Sequence, residues 1–98
     1  MTRTPSEAYR ELKPRYPNTL LAFIRGEMIW FLRADAQEVH RQLMLEMDAT
    51  AEYDRVAVHK SLYFQIKERM KCIGREVRLV ARNTSSKGRI FYTVSNDL

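Results

Sequence analysis

Ninety-eight residues, 45% hydrophobic and 30% charged, suit one small domain with a single core. The apolar runs stay far below the roughly 18–20 residues of a membrane-spanning helix, and Met1 to Ser6 lacks the apolar stretch of a secretory signal. The net charge of +5 is uneven: residues 1–54 carry seven Lys/Arg against nine Asp/Glu, and residues 55–98 ten against three. One cysteine, Cys72, excludes an internal disulfide framework and a multi-cysteine zinc site, so a reducing, cytoplasmic setting is expected.

Thr4-Pro5-Ser6-Glu7 predicts a helix start, with Thr4 as cap, Pro5 in the first turn and Glu7 completing a capping box. Ala8 and Leu12 share one face, and Pro14 ends the helix because it disfavours helical backbone at Lys13. Arg15 to Asn18 reads as a connector. Leu20–Ile24 and Met28–Leu32 flank Arg25-Gly26-Glu27, which predicts a hairpin. Both runs are continuously apolar, so both strands are expected to be buried on two faces. By the same token Trp30, between Ile29 and Phe31, is expected to be mostly buried.

A helix follows from about Ala34, with Ala36, Val39 and Leu43 at helical spacing. Met44–Met47 is expected as a short strand and Asp48–Arg55 as a loop. From His59 to Ile73, Leu62, Ile66, Met70 and Ile73 form an apolar stripe, Gly74 stops the helix, and Lys60, Lys67, Lys71 and Phe64 lie opposite. Two strands, Glu76–Asn83 and Arg89–Val94, close the chain around Ser85 to Gly88. The expected architecture is one mixed α/β domain: a small mixed sheet flanked by about three helices.

Catalytic patterns are sparse. His40 and His59 stand in no metal-ligand spacing, and His40, beside an apolar stripe, reads as structural. Three glycines in all, with no Walker or nucleophile-elbow pattern, give no phosphate-cradling loop. The acid pairs Glu46/Asp48 and Glu52/Asp54 fall in strand-end and loop sequence. Cys72 is expected as a buried, inert thiol at a helix end. Neither an enzyme nor a cofactor or metal site is expected.

The last hairpin carries the functional expectation. A four-residue loop, Ser85–Gly88, pairs Arg82 with Phe91 and Val80 with Thr93. Leu79, Ala81, Ile90, Tyr92 and Val94 then form a core face. Arg78, Arg82, Arg89 and Phe91 share the other face, with Lys87 at the tip. Two readings fit that second face: phosphate contact with base stacking, or arginine stems packed on Phe91.

Tyr9-Arg10-Glu11-Leu12-Lys13, Tyr16-Pro17-Asn18, Leu20-Leu21-Ala22-Phe23-Ile24-Arg25-Gly26-Glu27 and Ala34-Asp35-Ala36 resemble the N-terminal domain of the MutS family of DNA mismatch-repair proteins. Val58-His59, the helix after it, Gly74 and Val77–Ala81 are similar to that family's later helix–Gly–strand unit. The resemblance implies a mixed sheet flanked by helices, in a free-standing relative of one domain. The family's Phe-x-Glu recognition motif is matched by Met28 and Trp30. Met28 keeps the shape of an apolar wedge, but Trp30 replaces the carboxylate, so mismatch specificity is not expected. The leading expectation is a DNA-binding or DNA-associated domain contacting duplex or single strands through the basic C-terminal half. The alternative is an interaction module for a DNA-processing protein.

Overall fold

A strand that buries both faces must lie inside a sheet, and the chain builds its fold around one of them, Thr19–Arg25, while Met28–Leu32, expected to be buried likewise, keeps Met28 and Trp30 partly open on one face. The computed structural model describes residues 4–48 and 52–95. In chain order the elements are α1 (Pro5–Leu12), β1 (Thr19–Arg25), β2 (Met28–Leu32), α2 (Arg33–Leu43), β3 (Arg55–His59), α3 (Tyr63–Cys72), β4 (Glu76–Thr84) and β5 (Ile90–Val94). Short 3-10 turns extend α1 over Lys13–Arg15 and precede α3 over Lys60–Leu62. The sheet order is β3-β2-β1-β4-β5, antiparallel throughout except for the parallel β1–β4 pair. This is the mixed α/β architecture expected from the sequence.

β1 is central, and Leu20, Leu21, Ala22 and Phe23 are all buried. Alternation divides them. Leu20 and Ala22 join Ile29, Phe31, Val56 and Val77 beneath Val39 of α2 and Ile66 and Met70 of α3. Leu21 and Phe23 join Leu32 and Val80 beneath Ala8 and Tyr9 of α1. Two helices thus cover one face of the sheet, and one short helix covers part of the other.

α1 starts as expected. The Glu7 N–H donates to Thr4 Oγ1 at 3.2 Å, and the Thr4 N–H donates to Glu7 Oε1 at 3.1 Å. Its end is tied to α2 by a buried ion pair. Lys13 Nζ lies 2.7 Å from Asp35 Oδ1, and the Leu21 N–H donates to Asp35 Oδ2 at 3.0 Å. Lys13 Nζ also donates to the Thr19 carbonyl at 2.7 Å. Burial pushes the Asp35 carboxyl above its usual range, while the Leu21 amide and the Lys13 ammonium oppose that push.

Several expectations are corrected. Met44–Met47 is not a strand: Met44 takes the left-handed conformation (φ 56°) that ends α2. The segment after it folds back, His40 Nδ1 donating to the Leu45 carbonyl at 2.6 Å and the Asp48 N–H to the Arg55 carbonyl at 2.7 Å. Residues 49–51 of the expected loop lie outside the described residues. Arg55–His59 is a strand that takes Arg55 from the expected loop and His59 from the expected helix, because five residues suffice when β2 supplies the ladder. The third helix begins four residues later than expected, at Tyr63. Ile73 falls past its end and is half exposed, and Cys72, on its outer side, is exposed and not buried. Trp30 is mostly buried, as expected, but on the face opposite its neighbours Ile29 and Phe31, where it packs against the α1-side core and keeps part of its ring open.

Candidate nucleic-acid interface

The last hairpin turns on fewer residues than its sequence suggested. The Ser85 N–H donates to the Arg89 carbonyl at 2.8 Å, and the Gly88 N–H donates to the Ser85 carbonyl at 2.9 Å. Gly88 sits at φ +78°, a conformation open to glycine without steric cost, and so closes a three-residue loop, Ser86 to Gly88. The register is therefore Thr84 with Ile90, Asn83 with Phe91, Arg82 with Tyr92 and Val80 with Val94. This is one residue away from the expected pairing, and a one-residue slip moves a whole strand to the other face.

The expected cluster is accordingly divided. Arg78 and Arg82 lie on the α1 face with Val80, Tyr92 and Val94. Phe91, 41% exposed, lies with Asn83 on the face that α2 and α3 cover elsewhere. Arg89 and Lys87 are exposed at the turn. Ile90, Tyr92 and Val94 do share a face, but with Val80 and not with Leu79 and Ala81. Hence no single face holds Arg78, Arg82, Arg89 and Phe91.

What Arg78 and Arg82 join instead comes from the other hairpin. The two-residue turn at Gly26-Glu27 pairs Arg25 with Met28 and Phe23 with Trp30. β3 adds Arg55 opposite Leu32 and His59 opposite Met28. Arg25, Met28, Trp30, Arg55, Arg78 and Arg82 therefore occupy one face of the sheet. α1 seals its middle over Leu21 and Leu32 and leaves the end toward Gly26 open. There Arg25, Trp30, Arg82 and Thr84 line a cavity of about 590 Å³.

Trp30 organises the electrostatics of this open end. The guanidinium carbon of Arg55 lies 4.3 Å from its ring centroid and that of Arg25 lies 5.0 Å away, both over the ring. Such contacts contribute about 0.5–1 kcal/mol each at partly exposed sites and hold flexible arginines in place. Further along the face, Arg78 lies 5.8 Å over Tyr16. Arg55 and Arg78 are also ion-paired, to Asp48 and Glu76. Arg25 and Arg82 have no carboxylate partner among the described residues. Two uncompensated guanidiniums beside one aromatic ring, on an open concave surface, present the groups that take a phosphate and the base next to it.

Arg25, Trp30 and Arg55 were absent from the expected site. The expected connection of three residues, Arg25 to Glu27, is a turn of two, Gly26-Glu27, and that difference is what brings Arg25 into β1 opposite Met28 and beside Trp30. Arg55 needed β3, which the sequence did not reveal. Among the described residues, no group of three or more His, Cys, Asp or Glu gathers within reach of one metal ion. No helix among them is long and apolar enough to cross a membrane. No family model matches the chain, and no curated protein matches it in sequence.

Proposed function

We propose that this chain is a non-enzymatic nucleic-acid-binding domain that contacts DNA through the open end of its α1 face, without mismatch specificity. The observation that carries the reading is the convergence of Arg25 and Arg82, unpaired with any carboxylate among the described residues, on a cavity that also exposes Trp30. The two guanidiniums supply phosphate contacts, which position a nucleic acid without selecting its sequence. Met28, next to Arg25 on the same face, is the apolar group nearest to a wedge. The resemblance to the MutS N-terminal domain supports the same class of ligand, and with Trp30 in place of the family's glutamate it argues against base discrimination. Arg89, Lys87 and Phe91 lie outside this contact surface, except where a long strand passes the hairpin turn.

A titration of labelled duplex and single-stranded DNA, each at two salt concentrations, tests the proposal. Binding that weakens steeply with salt is expected, because phosphate neutralisation releases counterions. Salt-independent binding, or none, sinks it. The second reading is a protein-interaction module of a DNA-processing complex. Phe64 favours it: 73% exposed on α3, this ring lines a separate cavity of about 520 Å³ with Lys67, Lys71 and Val77.

A further inference from the structure

β1 and β4 are the parallel pair of the sheet, and at their carboxyl ends the chain leaves them in opposite directions. β1 turns at Gly26 into β2, while β4 runs on and turns at Ser86 to Gly88 into β5. Parallel neighbours that part in this way leave a crevice at their carboxyl ends, the position that ligands take in open α/β sheets. The cavity of about 590 Å³ lies in that crevice. Ile24, Arg25 and Gly26 come to it from the end of β1 and its turn, and Ala81, Arg82 and Thr84 from the last residues of β4. Sites for small ligands occupy about 300–1,000 Å³, and this one falls among them.

The parallel register sets the two arginines side by side. Phe23 pairs with Val80, and two residues further along both strands stand Arg25 and Arg82. Both fall on the α1 face, one strand spacing of about 4.8 Å apart. Like charges at neighbouring strand positions repel. Elsewhere on this face the chain answers its arginines itself, Arg55 with Asp48 and Arg78 with Glu76. Arg25 and Arg82 receive no such answer, and none of the described residues lining the cavity is a carboxylate. Arg25 lays the face of its guanidinium on Trp30, which leaves the N–H edge to donate. Thr84, on the same side of β4 as Arg82, adds a hydroxyl to the lining.

Resting on the nucleic-acid reading above, we propose that this crevice takes the phosphorylated end of a strand, with a terminal phosphate monoester held between Arg25 and Arg82. An internal phosphodiester carries one negative charge. A monoester carries about −1.5 to −2 at pH 7 and presents three acceptor oxygens. Two adjacent guanidiniums match the monoester in charge and in forked donors. The surroundings favour an end over the middle of a strand as well, because α1 closes the way along β1 and β4 over Leu21, Phe23 and Val80. The phosphate group is the shared chemistry of a strand end and of a free mononucleotide, and the affinities of the two tell them apart.

The test is a set of titrations of the full chain read by Trp30 emission, since Trp30 is the one tryptophan of the sequence and lines the cavity. The probes are single strands of about ten nucleotides, identical in sequence, carrying a phosphate at the 5′ end, a phosphate at the 3′ end, or hydroxyls at both. Adenosine monophosphate is the fourth probe. A phosphorylated end should bind about tenfold more tightly than hydroxyl ends, the worth of one hydrogen bond to a charged group. R25Q and R82Q should each abolish that preference. Arg25→Lys, which keeps the charge and loses the fork, should reduce it while leaving the salt dependence of binding in place. Equal affinity for phosphorylated and hydroxyl-ended strands overturns the inference and leaves the DNA-binding reading standing, whereas absence of binding to every strand overturns both. A preference that survives R25Q and R82Q overturns the inference too, because the end is then held elsewhere. Adenosine monophosphate that binds as tightly as the phosphorylated strand also overturns it, in favour of a small phosphate ligand.

Discussion

The two faces of the same sheet are built from alternate residues of the same strands, yet they do different work. The face under α2 and α3 takes Leu20, Ala22, Ile29, Phe31, Val56 and Val77, all buried, and its strand positions are apolar wherever a helix covers them. The face under α1 takes Leu21, Phe23, Leu32 and Val80 in its middle and then turns to Arg25, Trp30, Arg55 and Arg82 where the eight-residue helix runs out. A helix that short cannot cover five strands. The uncovered remainder faces water, and cationic arginines over an aromatic ring suit that exposure while forming the surface proposed above to meet phosphate.

The sharpest way to break this comparison is to truncate neighbours on the two faces of β2. Phe31→Ala should destabilise by about 3–5 kcal/mol, the cost of a large cavity in a close-packed core. Trp30→Ala, one residue away, should cost only about 1–2 kcal/mol, because its ring is partly exposed and less area returns to water. Trp30→Ala should nonetheless weaken DNA binding. Denaturant melts of both variants beside a DNA titration would show whether the faces divide stability and binding in this way. Equal losses of stability would end the distinction.

A smaller stability loss is expected from Asp35→Ala. Removing one partner of a fully buried pair costs about 3–5 kcal/mol, and here about 2–3 kcal/mol is expected because Lys13 keeps a route to water. The same melts check it, with DNA affinity at saturating folded protein unchanged. Arg82→Ala should leave stability within about 0.5 kcal/mol, since Arg82 is exposed. It should weaken binding across sequences and flatten the salt slope by about one unit. Phe91→Ala, on the other face, should leave both affinity and slope unchanged. An effect of Phe91→Ala equal to that of Arg82→Ala would favour the four-residue turn over the three-residue one.

The smallest effect lies at high pH. Burial first, and then the neighbouring Asp35 carboxylate, push the Tyr9 hydroxyl from its ordinary 10.0 up to about 12. The unfolded chain releases that proton first, so the neutral hydroxyl contributes stability that is fully present below pH 10. That contribution is lost as the pH rises through about 12. Tyr9→Phe should flatten the fall in stability over that window, measured by denaturant melts at stepped pH. An unchanged pH profile would mean that Tyr9 ionises as freely in the folded chain as in the unfolded one.

The motifs behind the resemblance to the MutS domain also divide by face. Lys13 and Asp35, from two separate stretches, meet as the ion pair that docks the end of α1 against α2 and β1. Tyr9 and Tyr16 pack in and around the α1-side core, and Gly26 supplies a positive φ for the first hairpin. These residues hold the fold together. Of the quoted stretches, Ile24, Arg25, Gly26 and Ala81 line the open cavity, and Arg25 is the one that brings a charge to it.

The sequence by itself determined what local chemistry controls. It located the capped start of α1, the first hairpin with β1 buried on both faces, the middle of each helix and the presence of a closing hairpin. In each case the signal is a run of apolar residues or a stop residue whose effect is confined to a few positions. Tertiary structure alone decided the rest. β3 was settled by the ladder that β2 offers it, since the alternation of Val56 and Val58 is too short, between a polar loop and a helix, to announce a strand by itself. The register of β4 and β5 depends on whether Gly88 closes a turn of three residues or four, a matter of one backbone conformation. That single step sent Phe91 to one face and Arg82 to the other. Arg25, Trp30, Arg55 and Arg82 come from four different strands, and only the packing of those strands, with a helix too short to cover them, makes them one surface.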